Sequence, residues 1–144
     1  MAAVAGAVAG RIVQHLADSC TELYFENGGD IAAINREALK VLVFPGGPPF
    51  SRPLYLNLPP GAWGIASSSG VFGHSFSRGQ AQMVTIVASG APLADAAATA
   101  VANRVRPGCD PQKLVEEAIP GVSAILIIWQ DTLFYRGDFL LDFR

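Results

Sequence analysis

The spacing of apolar residues changes along this chain and predicts where helices give way to strands. Residues 2–17 are rich in helix-forming residues, and their larger apolar positions recur at helical spacing, at Val4, Val8, Ile12 and Leu16. Gly6 and Gly10 lie four residues apart within the same segment. Because glycine inside a helix costs about 1 kcal/mol relative to alanine, we expect another part of the backbone to approach this helix closely.

Short runs of β-branched, aromatic and aliphatic residues predict strands through the rest of the chain. They cover residues 21–26, 31–34, 39–44, 54–58, 62–67, 82–88, 123–129 and 132–135. Asn27-Gly28-Gly29-Asp30 separates the first two runs, and glycine and asparagine accept the positive φ that a tight turn requires. These two runs are therefore predicted to form a hairpin.

Two further helices are predicted in the second half of the chain. Pro92 suits the first position of one helix, which is expected to end near Pro107. Asp110 suits the cap of the other, which has Pro111 in its first turn and runs to Ala118. Hairpins combined with a few packed helices predict an α+β fold with a mixed or antiparallel sheet, in a single domain over residues 1–144.

Composition narrows the class of protein further. The chain has 144 residues, of which 51% are hydrophobic and 15% charged, with a formal net charge of −2. That balance predicts a globular protein with a real core. We also expect another chain to cover part of its apolar surface, either a second copy in a homo-oligomer or a different partner. No basic stripe is present, which argues against a nucleic-acid partner.

The cysteines and the apolar stretches point to a cytoplasmic protein. Cys20 and Cys109 form no paired-cysteine motif, which argues against a disulfide framework or a zinc site. The opening apolar stretch reaches Arg11 too soon to span a membrane, and residues 123–129 have the length of a buried strand. We therefore expect no membrane span.

Asp95 and Thr99 are the first candidates for chemistry. They lie four residues apart on a predicted helix and are separated by alanines, so that their oxygens project from one face. We expect Asp95 in the first turn, where the helix dipole stabilises negative charge. A carboxylate and a hydroxyl without bulky neighbours suit a hard cation such as Mg²⁺. The alternative is a helix-start aspartate beside a threonine bonded to its own backbone.

A polar, glycine-rich segment at residues 67–80 supplies the second candidate. Its hydroxyl and backbone N–H groups suit phosphate oxygens, and the residues concerned are Ser67, Ser68, Ser69 and Gly70. His74 lies in the same segment near Arg78 and could act as an acid, a base or a phosphate contact. The segment is not a standard nucleotide-binding loop. An ordinary hydrogen-bonded histidine is the alternative.

Three separated stretches together resemble the ApbE family: ENGGDI at 26–31, SSSGVFGHSFSRGQA at 67–81 and LADAAATAVANRV at 93–105. The resemblance is greatest to the short ApbE-related prokaryotic group, and it covers the C-terminal portion of that domain. ApbE proteins are flavin transferases that use Mg²⁺ to move FMN from FAD onto a threonine of a target protein. The resemblance implies an ApbE-like, T-fold-like architecture, FAD and Mg²⁺ as cofactors, and a protein acceptor.

Carried over by position, the resemblance assigns roles to residues of this chain. The metal-binding aspartate and threonine of the family correspond to Asp95 and Thr99, and its catalytic histidine corresponds to His74. Flavin-nucleotide contacts correspond to the glycine-aspartate turn and the serine segment, that is, to Gly28, Gly29, Asp30, Ser67, Ser68, Ser69 and Gly70.

Two departures from the family pattern bear on activity. The Asp-Pro pair that follows the family histidine is replaced by Ser77-Arg78, and the early helix has no lysine before Arg11. The N-terminal portion of the family domain, which contributes to the FAD pocket, is expected to be missing or to be supplied by another polypeptide.

Three functions follow as alternatives: an FMN transferase, a flavin- or nucleotide-binding module without transfer activity, and a subunit that completes its site with another chain. The residues do not decide among them.

Overall fold

The computed structural model describes residues 3–44, 53–71 and 78–143. The helices are α1 (Val4–Leu16), α2 (Ala91–Ala102) and α3 (Pro111–Glu116), with a short 3₁₀ turn at Ala17–Ser19. The strands are β1 (Leu23–Asn27), β2 (Asp30–Asn35), β3 (Leu39–Val43), β4 (Leu54–Leu58), β5 (Gly61–Ser68), β6 (Met83–Ala88), β7 (Val122–Trp129), β8 (Thr132–Gly137) and β9 (Leu140–Phe143). The described residues thus form the α+β fold that the sequence predicts.

The strands form two antiparallel sheets. The larger sheet has six strands in the order β1-β2-β5-β6-β7-β8, and the smaller has three in the order β3-β4-β9. Helices α1 and α2 pack on one face of the six-stranded sheet, and the three-stranded sheet packs on the other. Strand β7 is buried along nearly its whole length because both of its faces are covered.

Local chemistry explains the main turns. Gly28 and Gly29 have φ of 65° and 97° and connect β1 to β2, with Asn27 paired to Asp30 across the turn. Both central positions of such a two-residue turn require positive φ, which glycine adopts without steric cost. The carboxylate of Asp110 accepts hydrogen bonds from the N–H groups of Gln112 and Lys113, which confirms its predicted role as the cap of α3.

The two glycines of α1 allow the close approach that the sequence predicts. A Cβ at Gly6 would lie 2.4 Å from the carbonyl oxygen of Ala91, and one at Gly10 would lie 3.2 Å from Pro92 Cδ. A Cβ at Gly64 of β5 would lie 2.1 Å from the carbonyl carbon of Gly90. The start of α2 is therefore held between α1 and the sheet by backbone contacts that admit no side chain.

The row of larger apolar residues on α1 faces away from the core. The buried residues of this helix are Gly6, Ala9 and Val13, of which Gly6 and Ala9 are small. On the opposite face the exposed fractions are 58% for Val4 and 45% for Val8. Close packing against α2 selects the small residues for the inner face, although the larger ones are more hydrophobic.

The structure corrects three details of the sequence prediction. Helix α2 begins at Ala91, so Pro92 is its second residue. Asp95 consequently lies just beyond the first turn, which contains no acidic residue. Strand β9 was not predicted, because its short sequence has no distinctive pattern and its partner in the sheet is β4, far away along the chain. Among the described helices none is long and apolar enough to cross a membrane.

Candidate functional site

Two carboxyl groups meet where α1, α2 and the β1–β2 hairpin converge. Asp30 is the first residue of β2, and its side chain points to the helix face of the sheet, where it shares a hydrogen bond with the carboxyl group of Asp95 on α2. Only 8% of Asp30 is exposed. The hairpin turn and the helix thus bring together two acidic residues that lie far apart in the sequence.

The first turns of α1 complete the surroundings of this pair. The backbone N–H of Gly6 donates to Asp95 Oδ2 at 3.0 Å. Nearby, the side-chain amide of Asn27 donates to the carbonyl oxygen of Ala5 at 3.3 Å, which ties α1 to the end of β1. Because a Cβ at position 6 would lie 2.8 Å from Asp95 Cβ, glycine is needed for the backbone to reach the carboxylate.

The pair holds a proton near neutral pH. Burial raises the pKa of Asp30 from 3.8 to about 7, with the negative charge of Asp95 and the hydrogen bond that protonated Asp30 donates to Asp95 as further causes. Two adjacent carboxylates repel each other when both are ionised, and a shared proton removes that repulsion. A divalent cation beside the pair would remove it as well.

The donor set at this point fits a hard cation that is shared with a ligand. Thr99 lies one helical turn beyond Asp95 and is half-buried, as is Asp95. Carboxylate and hydroxyl oxygens suit Mg²⁺, which keeps several water or phosphate ligands of its own. The described part of the chain contains no cluster of three acidic, histidine or cysteine residues that could enclose a metal. The residues therefore fit an open site better than a closed protein cage.

A second feature lies on the opposite face of the six-stranded sheet. A cavity of about 500 Å³ opens between the β1–β2 hairpin and β3, and both Gly29 and Ser67 line it. Its walls are mainly apolar, with Glu26 and Lys40 as charged lining residues. This volume lies within the range of small-molecule sites. The predicted nucleotide contacts are thus divided between the two faces of the sheet.

The serine segment is placed partly on β5 itself. Ser67 and Thr85 share a hydrogen bond of 2.8 Å between their hydroxyl groups, on the cavity side of the sheet. Ser68 is buried and pairs with Val84, a residue of the helix-side core. The alternation of strand side chains therefore separates two adjacent serines.

The remaining predicted contacts follow the end of β5. The hydroxyl of Ser69 accepts a hydrogen bond from the N–H of Val71 at 3.0 Å. The N–H of Gly70 donates to the carbonyl oxygen of Ala81 at 2.9 Å, so that this backbone group stabilises the fold. His74 and Ser77, on which the sequence prediction placed the histidine motif, lie outside the described residues.

Three residues of the site were not singled out by sequence reasoning. Gly6 binds the carboxylate of Asp95, Asn27 fixes α1 to the hairpin, and Glu26 accepts the N–H of Gly29 at 2.8 Å through its Oε1 atom. The only signal for Gly6 was the unusual cost of glycine within a helix. Nothing in the local sequence of Asn27 or Glu26 distinguishes these partners from ordinary hairpin residues.

Comparison with known proteins identifies the family. The sequence profile described as "AbpE bacteria" matches residues 1–118. The chain belongs to the ApbE-related family. Its matched region includes the carboxyl pair, the hairpin and the cavity described above.

The curated relatives are UPF0280 proteins of methanogens. One from Methanopyrus kandleri is 41% identical over 144 residues, which cover 97% of this chain and 57% of that protein. Another, from Methanosphaerula palustris, is 39% identical over 131 residues, covering 88% of this chain and 55% of the relative. The chain therefore spans little more than half the length of these relatives.

A solved structure shows the same fold. The ApbE protein of Thermotoga maritima superposes with a TM-score of 0.68 at 24% identity, over 92% of this chain and 48% of that protein. This confirms the predicted ApbE-like α+β architecture. At this level of identity the likeness concerns the arrangement of strands and helices only.

Proposed function

We propose that this chain is an ApbE-like flavin-nucleotide-binding protein in which Asp95 and Thr99 hold Mg²⁺ beside the nucleotide phosphates. The observation that carries the proposal is the carboxyl pair of Asp30 and Asp95, joined to the N–H of Gly6. These acidic residues lie far apart in the sequence, within two of the stretches that resemble ApbE, and the fold places them in contact.

In this proposal the residues of the chain have separate tasks. Asp95 and Thr99 supply oxygen ligands, and Asp30 adds negative charge beside them after it releases its proton. Bound Mg²⁺ would neutralise the negative charge of the pyrophosphate. The cavity on the other face, lined by Gly29 and Ser67, offers apolar walls for a flat ring, and Ser67 supplies a hydroxyl group in that lining.

The proton on Asp30 gives the metal site a pH dependence. Because the pKa of this carboxyl group is raised to about 7, binding of a cation must displace a proton at acidic pH. Affinity for Mg²⁺ should therefore increase as the pH rises from about 6 to about 8, with release of protons into weakly buffered solution.

The experiment is retention of FAD by the purified protein, measured by absorbance through gel filtration and by titration of flavin fluorescence. With Mg²⁺ present we expect saturable binding, which Asp95→Asn and chelation with EDTA should each weaken by roughly tenfold or more. Asp138→Asn changes an exposed aspartate in the turn between β8 and β9 and serves as the matched control.

The outcomes separate the parts of the proposal. Binding that is equally tight in EDTA and in Asp95→Asn would contradict the metal role and leave flavin binding standing. Absence of any retained flavin from the folded protein would contradict the function itself. Release of AMP with attachment of FMN to a threonine-containing acceptor would establish transfer, whereas binding without AMP release would establish a non-catalytic module.

The third alternative is a subunit that completes its site with another chain. The matched region covers 57% of the Methanopyrus kandleri relative, so a large part of that protein has no counterpart in this chain. In that case FAD binding would appear only after the other part of the domain is supplied.

A further inference from the structure

The turn between β1 and β2 contains the one asparagine of the chain that is followed by glycine. In the sequence, Asn27 precedes Gly28, whereas Asn35, Asn57 and Asn103 precede arginine, leucine and arginine. The Cγ atom of an asparagine can be attacked by the backbone nitrogen of the next residue, and a side chain on that residue hinders the attack. Because glycine has no Cβ, the nitrogen of Gly28 is unshielded.

The geometry of the turn leaves this nitrogen free to react. Gly28 and Gly29 are both exposed, and a Cβ at position 28 would meet no atom within 4 Å. The N–H of Gly29 donates to Glu26 Oε1 at 2.8 Å. Within the described residues, by contrast, the N–H of Gly28 has no hydrogen-bond partner. It can therefore give up its proton to water without breaking a hydrogen bond of the fold.

The other asparagines are held by more or shorter hydrogen bonds. Asn35 is 3% exposed, and its Nδ2 atom donates to two backbone carbonyl oxygens. Nδ2 of Asn57 donates to a backbone carbonyl oxygen at 3.1 Å, and Oδ1 of Asn103 accepts a backbone N–H at 2.7 Å. The side chain of Asn27 is half-buried and donates once, to the carbonyl oxygen of Ala5 at 3.3 Å. Sequence and contacts thus both distinguish Asn27.

The contact of Asn27 is one that holds α1 to the hairpin. The residue that follows Ala5 in α1 is Gly6, whose N–H donates to Asp95 Oδ2. Conversion of the Asn27 amide to a carboxylate replaces a donor by an acceptor, which repels the carbonyl oxygen of Ala5 instead of bonding to it. An isoaspartyl linkage also adds a methylene group to the backbone beside the pairing of Asn27 with Asp30. Either product weakens the attachment of the first turns of α1.

We propose that Asn27-Gly28 is a self-modification site, which deamidates through a cyclic imide and thereby loosens α1 from the carboxyl pair. The nitrogen of Gly28 gives its proton to water and bonds to Cγ of Asn27. The Cγ–Nδ2 bond then breaks, and ammonia leaves with a proton taken from water. A water molecule opens the imide at Cγ to give aspartate, or at the backbone carbonyl carbon to give isoaspartate. Flavin and metal take no part, so the site is independent of the proposed function.

The first measurement is the rate of conversion at each asparagine of the 144-residue protein under native conditions. Peptide mapping by mass spectrometry detects it, because deamidation raises the peptide mass by about 1 Da. We expect Asn27 to convert at least roughly tenfold faster than Asn35, Asn57 or Asn103, and to convert faster as the pH rises, since the nitrogen attacks after losing its proton. Equal rates at the four positions would overturn the assignment.

Asn27→Gln is the matched control for the chemistry. It keeps an amide donor, but its longer side chain closes a less favourable ring, so we expect no conversion at position 27 over the same period. Conversion of this variant as fast as the wild type would contradict attack by the nitrogen of Gly28.

The second measurement is hydrogen exchange of the backbone amides of α1. We expect exchange to be roughly tenfold faster in aged wild-type protein and in Asn27→Asp than in fresh protein, while exchange in β7 changes by less than about twofold. Asn57→Asp places the same change on β4, away from α1, and should leave α1 unaltered. Unchanged exchange of α1 after conversion, or equal acceleration by Asn57→Asp, would overturn the link to α1. The aged wild-type protein provides this result even if Asn27→Asp does not fold.

Discussion

The two faces of the six-stranded sheet are packed with different kinds of side chain. The layer that covers the helix face presents small side chains from α2, namely Ala94, Ala97, Ala98 and Ala102. The layer that covers the other face is the three-stranded sheet, which presents the larger side chains of Leu54, Leu56 and Leu58 to Leu126 and Ile128. Small side chains allow backbones to approach, and large ones hold two layers apart.

This difference determines what each face can do. On the helix face, α1 and α2 come close enough for a backbone N–H to reach the carboxylate of Asp95 and for Asp30 to contact it. On the other face, the larger side chains leave a cavity at the edge near β3. The buried carboxyl pair therefore lies on the tightly packed face, and the cavity lies on the other.

The largest loss of stability is expected where the backbones on the helix face pack most closely. In Gly64→Ala the new Cβ would lie within 2.3 Å of three backbone atoms of Gly90 and Ala91, which cannot move aside as a side chain would. We expect a loss of about 4 kcal/mol in the free energy of unfolding, measured by denaturation in urea. Gly90→Ala is the control, because its Cβ would meet only Pro92 Cδ, at 3.8 Å. Equal losses in the two variants would contradict the close approach.

A substitution that removes a large buried side chain tests the packing of the face that meets the three-stranded sheet. Leu56 is 1% exposed between the two sheets, and Leu56→Ala should lower the free energy of unfolding by about 3 kcal/mol through lost contacts and an unfilled space. Leu140→Ala, at a position that is 77% exposed, should change it by less than about 0.5 kcal/mol. A loss below 1 kcal/mol at Leu56 would show that this face can close over a void.

The carboxyl pair gives the helix face a pH dependence of its own. The pKa of Asp30 is about 7 in the folded protein and 3.8 as its ordinary value, so the folded state binds more protons between these pH values. The stabilising contribution of Asp30 to the free energy of unfolding is fully present below pH 3.8 and is lost as the pH rises through about 7.

Without metal, we expect wild-type stability to fall by about 2 kcal/mol between pH 4 and pH 8, after allowance for screening of the partly solvated pair. Asp30→Asn should remove most of that slope, because the amide cannot ionise. Asp138→Asn should leave it unchanged. Denaturation in EDTA at several pH values measures the slope, and an unaltered slope in Asp30→Asn would assign it to other groups.

The smallest losses of stability are expected from substitutions on the two faces of α1. Val13 is 5% exposed and Val8 is 45% exposed. Val13→Ala should cost about 1.5 kcal/mol, since two buried methyl groups are removed, and Val8→Ala less than about 0.5 kcal/mol. Thermal unfolding of the 144-residue protein provides the comparison. A larger loss at Val8 would mean that the exposed face of α1 is already covered in this protein.

Much of the secondary structure could be predicted from local signals. Glycine at the hairpin turn, aspartate at the cap of α3 and the apolar run of β7 each act through neighbouring residues, and each is placed as predicted. Strand β9 could not be predicted, because it is stabilised by pairing with β4. The resemblance to ApbE identified Asp30 and Asp95 as site residues without indicating that they touch.

The sequence by itself determined most of the elements and the α+β class, since turn chemistry, capping and apolar spacing depend on residues close together in the chain. The family came from the resemblance of three separated stretches to ApbE. Only the tertiary structure decided which face of α1 is buried. Spacing marks Val4, Val8, Ile12 and Leu16 as the apolar row, but packing against α2 required the glycine and alanine side. Only the fold, likewise, placed Asp30 against Asp95 and separated Ser67 from Ser68. Each of these outcomes depends on how distant backbones approach one another, and local sequence does not encode that distance.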